Sequence, residues 1–443
     1  ILTWQQDRFV FNHPGFHAYF AARHLFELYG KSHPSQFGEA KATQLAAVFL
    51  PDKLLQQKWL EVFLLVAAYL DLTDNAVKPV DNQAQFLNVM LQHADRMSTQ
   101  QPNTATAILT ACTLARSEVI GRNSQLKSAL QRRLETFFNN REQMRRNTPP
   151  RITEAGYSWS VLGDNRRSVH FLHAHSAEFC FIPAGEYQSA TERLIIPYAY
   201  WLGRYPITQK QFNEFIRDRG YQTERFWPEV TERNQWQDGP ILNRSQQPHQ
   251  QPKRYQEPFN LDHYPVVGLT WFESLAYSRW LTEKAHQYRW LPENWQISLA
   301  SEQEWVKAAR GGLNIPKEPL IEPLNKLSHI SPTVEVMLNP EPTRVYPWGN
   351  QTQPHLANHN ATNLRETNTV GCFIDGRSPY GCEELCGNVW EWLRDQARGV
   401  RFTKGGSFIE PDHMMQIDYR KRWHGLEAHK YIGLRLALFP SDI

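Results

Sequence analysis

Pro379-Tyr-Gly-Cys-Glu-Glu-Leu-Cys-Gly-Asn-Val-Trp-Glu-Trp392 sets an acid-rich turn against a Gly-Asn pair and two tryptophans that flank a glutamate. A strand with one buried face alternates apolar and polar residues. This stretch does not, and its composition is that of a site. Glu384 and Glu391 offer carboxylate oxygens and the backbone of Gly387 and Val389 offers carbonyls, a donor set that suits calcium better than zinc. A second cluster with the same oxygen chemistry surrounds Asn358, with Asn360 and Asn363. The expectation is structural calcium ordering the turn. The same residues admit a plainer reading, in which Trp390 and Trp392 fill the core and Glu391 bonds a backbone group or an arginine.

At 443 residues and 51.7 kDa the chain exceeds what one compact core holds, so two domains are expected. A net charge of +3 gives no argument for a nucleic-acid partner. The five cysteines (112, 180, 372, 382 and 386) form no disulfide framework, which fits a reducing, cytoplasmic compartment. The apolar run Val62 to Leu70 is too short to span a bilayer, so no membrane partner is expected.

Residues 1–140 carry helical spacing almost throughout: Ala18, Ala21, Ala22, Leu25, Leu28 and Tyr29 with Gly30 to end the helix; Trp59, Val62, Phe63, Val66 and Leu70; Ile108, Ala111, Cys112 and Ala115; Leu126, Leu130, Leu134, Phe137 and Phe138. Residues 141–168, with Pro149-Pro150 and several arginines, read as a linker. From 169 to 443 strands and short helices mix. Thr208 with Gln211, Thr270 with Glu273 and Ser301 with Glu304 are three capping boxes. Gly220 and Gly311 are placed to stop the first and third of those helices. Phe226–Tyr264 and 312–345 read as long surface loops. The fold class expected is α+β, an α-helical domain followed by a mixed α/β domain.

Phe181-Ile-Pro-Ala-Gly-Glu-Tyr187, Tyr205-Pro-Ile-Thr208, Tyr264-Pro-Val-Val-Gly-Leu-Thr-Trp271, Tyr346-Pro-Trp-Gly-Asn350, the opening stretch, Gly405-Gly-Ser-Phe408 and Ile432-Gly-Leu-Arg-Leu436 follow one another in an order that resembles the formylglycine-generating enzyme (sulfatase-modifying factor) family. The resemblance covers about residues 170–440 and implies a C-type-lectin-like fold. In active members two cysteines after the Gly-Gly-Ser turn bind copper; here Glu410 and Met415 stand in that stretch, and no copper is expected. Another branch joins the fold to a helical domain that binds iron through histidines, which draws attention to His13, His17 and His24; capping or core roles are the alternative. The opening Phe11-Asn-His-Pro-Gly-Phe16 and the run Lys58–Leu70 resemble the helical region after the ATPase core of NACHT-type signalling NTPases, which implies an upstream NTPase domain in the same polypeptide. Variable proteins of diversity-generating retroelements also use this lectin-like fold and place their diversified residues in the corresponding C-terminal segment.

That segment supplies the candidate ligand-binding rim: Asp412, His413, Met414, Gln416, Asp418, Tyr419, Arg420, Arg422, Trp423, His424 and Tyr431, with Glu427 and His429 beside them. Trp, Tyr, Arg and Met dominate recognition hot spots. An ordinary solvated loop is the alternative. No catalytic residue is nominated. The function expected is a non-catalytic module that binds a protein or peptide ligand within a larger NACHT-type protein; the alternative is a metal-dependent oxidoreductase, with iron on His13 and His17 or a metal at His413.

Overall fold

The computed structural model describes residues 2–5, 8–11, 14–30, 39–50, 52–73, 82–115, 123–163, 174–242, 248–327 and 330–443. The chain divides into two compact units, Ile1–Asp164 and Asn165–Ile443.

The first unit is helical, as the spacing implies, with a short hairpin of Leu2–Gln5 and Arg8–Phe11 ahead of the helices. Helix Pro14–Leu25 buries Ala18, Ala22 and Leu25, then widens into a π-helical turn over Phe26–Gly30. The wider turn breaks the 3.6-residue phase, and Leu28, expected on the apolar stripe, is 58 % exposed. Helices Gln57–Thr73, Pro102–Leu114 and Ser124–Asn139 bury the remaining stripes, apart from Trp59, which is half-buried.

The expected linker over 141–168 is corrected. Most of it is helix, Arg141–Arg145 and Pro149–Leu162, and the second of these buries Trp159. Pro149 and Pro150 begin this helix instead of breaking the chain, because the first helical turn has no intrahelical partner for their missing N–H groups.

The second unit is mixed α and β. Its larger sheet runs in the order Trp295–Leu299, Leu436–Pro440, Tyr200–Gly203, Glu178–Ile182 and Ile321–Pro323. The edge strand Ile321–Pro323 comes from the stretch read as a surface loop. Helices Gln209–Arg217, Trp271–Gln287 and Glu302–Arg310 each open with the expected capping box. Gly311, at φ +88°, caps the third, whereas the first ends at Arg217 and Gly220 begins a separate 3₁₀ turn. A smaller sheet carries the site, in the order Lys421–His424, Val400–Lys404, Trp390–Ala397 and Ile432–Leu434.

Candidate ligand-binding face

The opening stretch folds into a buried polar network. Glu391 is bound by Arg435 and by the indole N–H of Trp305, which donates to Oε2 at 2.7 Å. Arg435 spends its remaining donors on the carbonyls of Gly203, Arg204 and Glu383. Glu384 turns elsewhere. Its Oε1 accepts from the backbone N–H of Gly371 and Cys372 at 2.9 and 3.3 Å, and its Oε2 from the side-chain amide of Asn388 at 3.1 Å.

The residues expected to hold calcium do not converge on one point in this structure. A cation needs free lone pairs converging on one point, whereas each carboxylate already accepts from different protein donors, one of them a guanidinium. Asn358 donates to the carbonyl of Glu366 and to Asn368 Oδ1, while its own Oδ1 accepts from Thr362. Gly387, at φ +77°, lies so close to the Asn358 backbone that a Cβ there would meet its oxygen at 2.3 Å, and Val389 is buried. Among the described residues no three His, Cys, Asp or Glu side chains are grouped to hold a metal.

The exposed chemistry gathers on one face of the small sheet. Lys421 and Trp423 point the same way, half-buried, because strand residues alternate; Arg422 and His424 point the other way. Lys421 Nζ lies 4.7 Å from the Trp423 ring centre, 5.4 Å from that of Trp390 and 3.0 Å from Glu410 Oε1. The Trp390 indole N–H donates to the same oxygen at 3.0 Å. His429 stacks on Tyr431 at 5.0 Å with planes 5° apart, and it lies 5.4 Å from Trp423, whose own indole N–H is anchored on Thr403 Oγ1. Tyr419 tilts against Trp390 at 6.0 Å. The result is an ammonium between two indole rings beside an imidazole–phenol stack. Glu410 neutralises the ammonium and Trp390 is fully buried, so the surface this leaves for a ligand is the Trp423 ring beside the His429–Tyr431 stack, which suits planar or apolar groups.

The structure brings together Tyr419, Trp423 and Tyr431 of the expected rim and disperses most of the rest. Arg420 lies over the Phe402 ring and pairs with Glu302. Arg422 is opposite Phe402 in the strand pairing, on the far side from Trp423. Asp418 is held by buried Arg310 at 2.6 Å. Asp412 accepts from Thr352 and pairs with His359, Met414 packs against the core, and Gln416 and His424 are exposed. His413 is exposed and reaches only the edge of the Tyr419 ring, at 6.3 Å. Lys421 and Glu410 are the members the sequence reading missed. Period-two alternation through Lys421-Arg-Trp-His424 was the signal that separates Lys421 from Arg422.

The copper pair of the active enzymes does not fit these residues. The stretch to which the resemblance assigns that pair has no cysteine; it carries Glu410, a hard carboxylate already bound by Lys421 and Trp390, and Met415, which is fully buried. For iron, His13 lies outside the described residues, and His17 and His24 are exposed on helix Pro14–Leu25.

A family model described as the sulfatase-modifying factor enzyme 1-like domain matches residues 170–439, more than half of the chain. The chain belongs to this family. Its second unit is therefore a C-type-lectin-like domain of the sulfatase-modifying factor type, preceded by a helical region. It is 25 % identical over 281 residues to the inactive C-alpha-formylglycine-generating enzyme 2 of Mus musculus, covering 54 % of this chain and 76 % of that protein. It is 23 % identical over 265 residues to the hercynine oxygenase of Mycolicibacterium smegmatis, covering 54 % of this chain and 53 % of the oxygenase. Among solved structures, Treponema denticola variable protein 1 aligns with a TM-score of 0.35 at 14 % identity, over 59 % of this chain and 95 % of that one. The expectation that the chain is not an enzyme is corrected by the second of these, since a sulfatase-modifying-factor relative aligned over half the chain is an oxygenase. No helix among the described residues is long and apolar enough to cross a membrane.

Proposed function

We propose that the face around Lys421, Trp423, His429 and Tyr431 binds a protein or peptide ligand. One observation carries the reading: the Lys421–Glu410 pair sits between Trp390 and Trp423, and Glu410 lies in the stretch after Gly405-Gly406-Ser407 to which the family resemblance assigns copper cysteines, a stretch that has none in this chain. Half-buried aromatic side chains with a polar anchor contribute large contact area at little cost in conformational freedom. The test is selection of a random peptide library on the wild-type protein, followed by titration of the recovered peptides against Trp423→Ala and Lys421→Ala. Peptides that bind both variants as tightly as the wild type would remove the face from consideration.

In its finer form, this reading makes the chain part of a NACHT-type protein, supported by the Phe11–Phe16 entry into the first helix and the Lys58–Leu70 run. The Gly405–Phe408 and Ile432–Leu436 brackets support reading the segment between them as a surface diversified by a retroelement. The competing reading, a metal-dependent oxidation, draws support from the hercynine oxygenase relative. Metal analysis of the purified chain with His17→Ala and His413→Ala variants separates the two, since only the oxidative reading requires stoichiometric metal that those variants lose.

A further inference from the structure

The short sheet formed by Asn314–Pro316 and Val336–Leu338 leaves one edge open. Its hydrogen bonds define which groups that edge presents. Lys317 N–H donates to Glu335 O and Asn339 N–H to Leu313 O, so the inward-facing positions are 335, 337 and 339. The N–H and C=O groups of Val336 and Leu338 therefore point away from the sheet, and they have no partner among the described residues. The side chains on this strand are apolar and exposed: Val336 45 %, Met337 44 % and Leu338 75 %. An open apolar edge of this kind is a template for strand pairing, which natural proteins otherwise block with charge or cover.

We propose that this edge pairs with the same edge of a second copy of the chain, antiparallel, about a two-fold axis at Met337. The register argues for that occupant. With Met337 opposite its own copy, Val336 lies opposite Leu338, and the four outward groups on each strand meet their complements in four hydrogen bonds. Val336 then packs on Leu338 across one face, and the two Met337 side chains meet on the other. Glu335 falls opposite Asn339, so no like charges oppose each other. Pro332 and Pro340 bound the edge, because each lacks the N–H that further pairing would need. The contact is isologous and closed, and it is small, so association is weak and seen only at high protein concentration.

The test uses single cysteine variants of the whole chain, whose five native cysteines are all buried and in no disulfide. The proposed register puts the two Met337 Cα atoms about 4.5 Å apart in a non-hydrogen-bonded pair, within disulfide range. Two Val336 or two Leu338 atoms lie on a diagonal of roughly 8 Å, beyond that range. Under a glutathione redox buffer, M337C is expected to give a disulfide-linked dimer at least tenfold faster than V336C or L338C, and V336C mixed with L338C is expected to give the heterodimer. Equal rates for the three single variants, or no cross-linking by M337C while the V336C and L338C mixture is also inert, would overturn the proposal. Thermal melts of the variants confirm that each retains the fold.

Discussion

Glu391 and Arg435, each with a side chain only 1 % exposed, close an ion pair of 2.6 Å at the centre of the second unit, and Trp305 donates to the same carboxylate. Two charges removed from water are tolerable only because every remaining donor of the guanidinium finds a carbonyl. Removing one partner strands the other. Glu391→Gln or Arg435→Met is expected to cost about 3–5 kcal/mol, read as the shift of the denaturant midpoint. The double variant Glu391→Leu/Arg435→Met is expected to recover part of that loss, since no unpaired charge remains. Additive losses in the double variant would show that the two side chains act separately.

Glu384 gives the fold a pH signature. Burial pushes its carboxyl up to about 7 against an ordinary value of 4.5, with the donors Asn388 and Gly371 pulling the other way and neighbouring Glu383 adding to the rise. The unfolded chain ionises this group near its ordinary value, and the folded chain resists. The stabilising contribution of the protonated form is therefore complete below about 4.5 and is lost as pH rises to about 7, amounting to on the order of 3 kcal/mol. The stability difference between wild type and Glu384→Gln is expected to change across that window and to be flat above it. A difference independent of pH between 4 and 8 would contradict the assignment.

The turn is held by protein contacts. Chelation with EGTA is expected to leave Tm unchanged. Gly387→Ala is expected to lower Tm steeply, because its Cβ would meet the Asn358 carbonyl at 2.3 Å and its φ is positive. A Tm that falls on chelation and returns with calcium would restore an ion to the turn, since a ligand bound only by the folded state must stabilise it.

What the sequence disclosed tracks how local each interaction is. The three capping boxes are legible because hydroxyl and carboxylate or amide lie three residues apart and satisfy each other. The ordered family motifs carried the fold of the second unit. The Glu391–Arg435 pair spans 44 residues of chain, and no local pattern announces it; the sequence offered an arginine partner only as one alternative to calcium. The helix Pro149–Leu162 was hidden because Pro-Pro reads equally as a break and as a helix start, and burial of Trp159 decides between them. The rim is less legible for a different reason. Residues 412–431 read as one surface in the sequence, whereas the strand at Lys421–His424 sorts its side chains onto two faces, Lys421 and Trp423 on one and Arg422 and His424 on the other.

The most direct test of the ligand face contrasts Trp423 with its neighbour Arg422, one residue away on the opposite side of the strand. Peptides selected on the wild type are titrated by calorimetry against Trp423→Ala and Arg422→Ala, with both variants checked for an unchanged melt. The expected result is a loss of about 2 kcal/mol in binding for Trp423→Ala, roughly thirtyfold, and a change within about twofold for Arg422→Ala. Equal losses, or a loss confined to Arg422→Ala, would contradict the assignment and move recognition to the other face of the sheet.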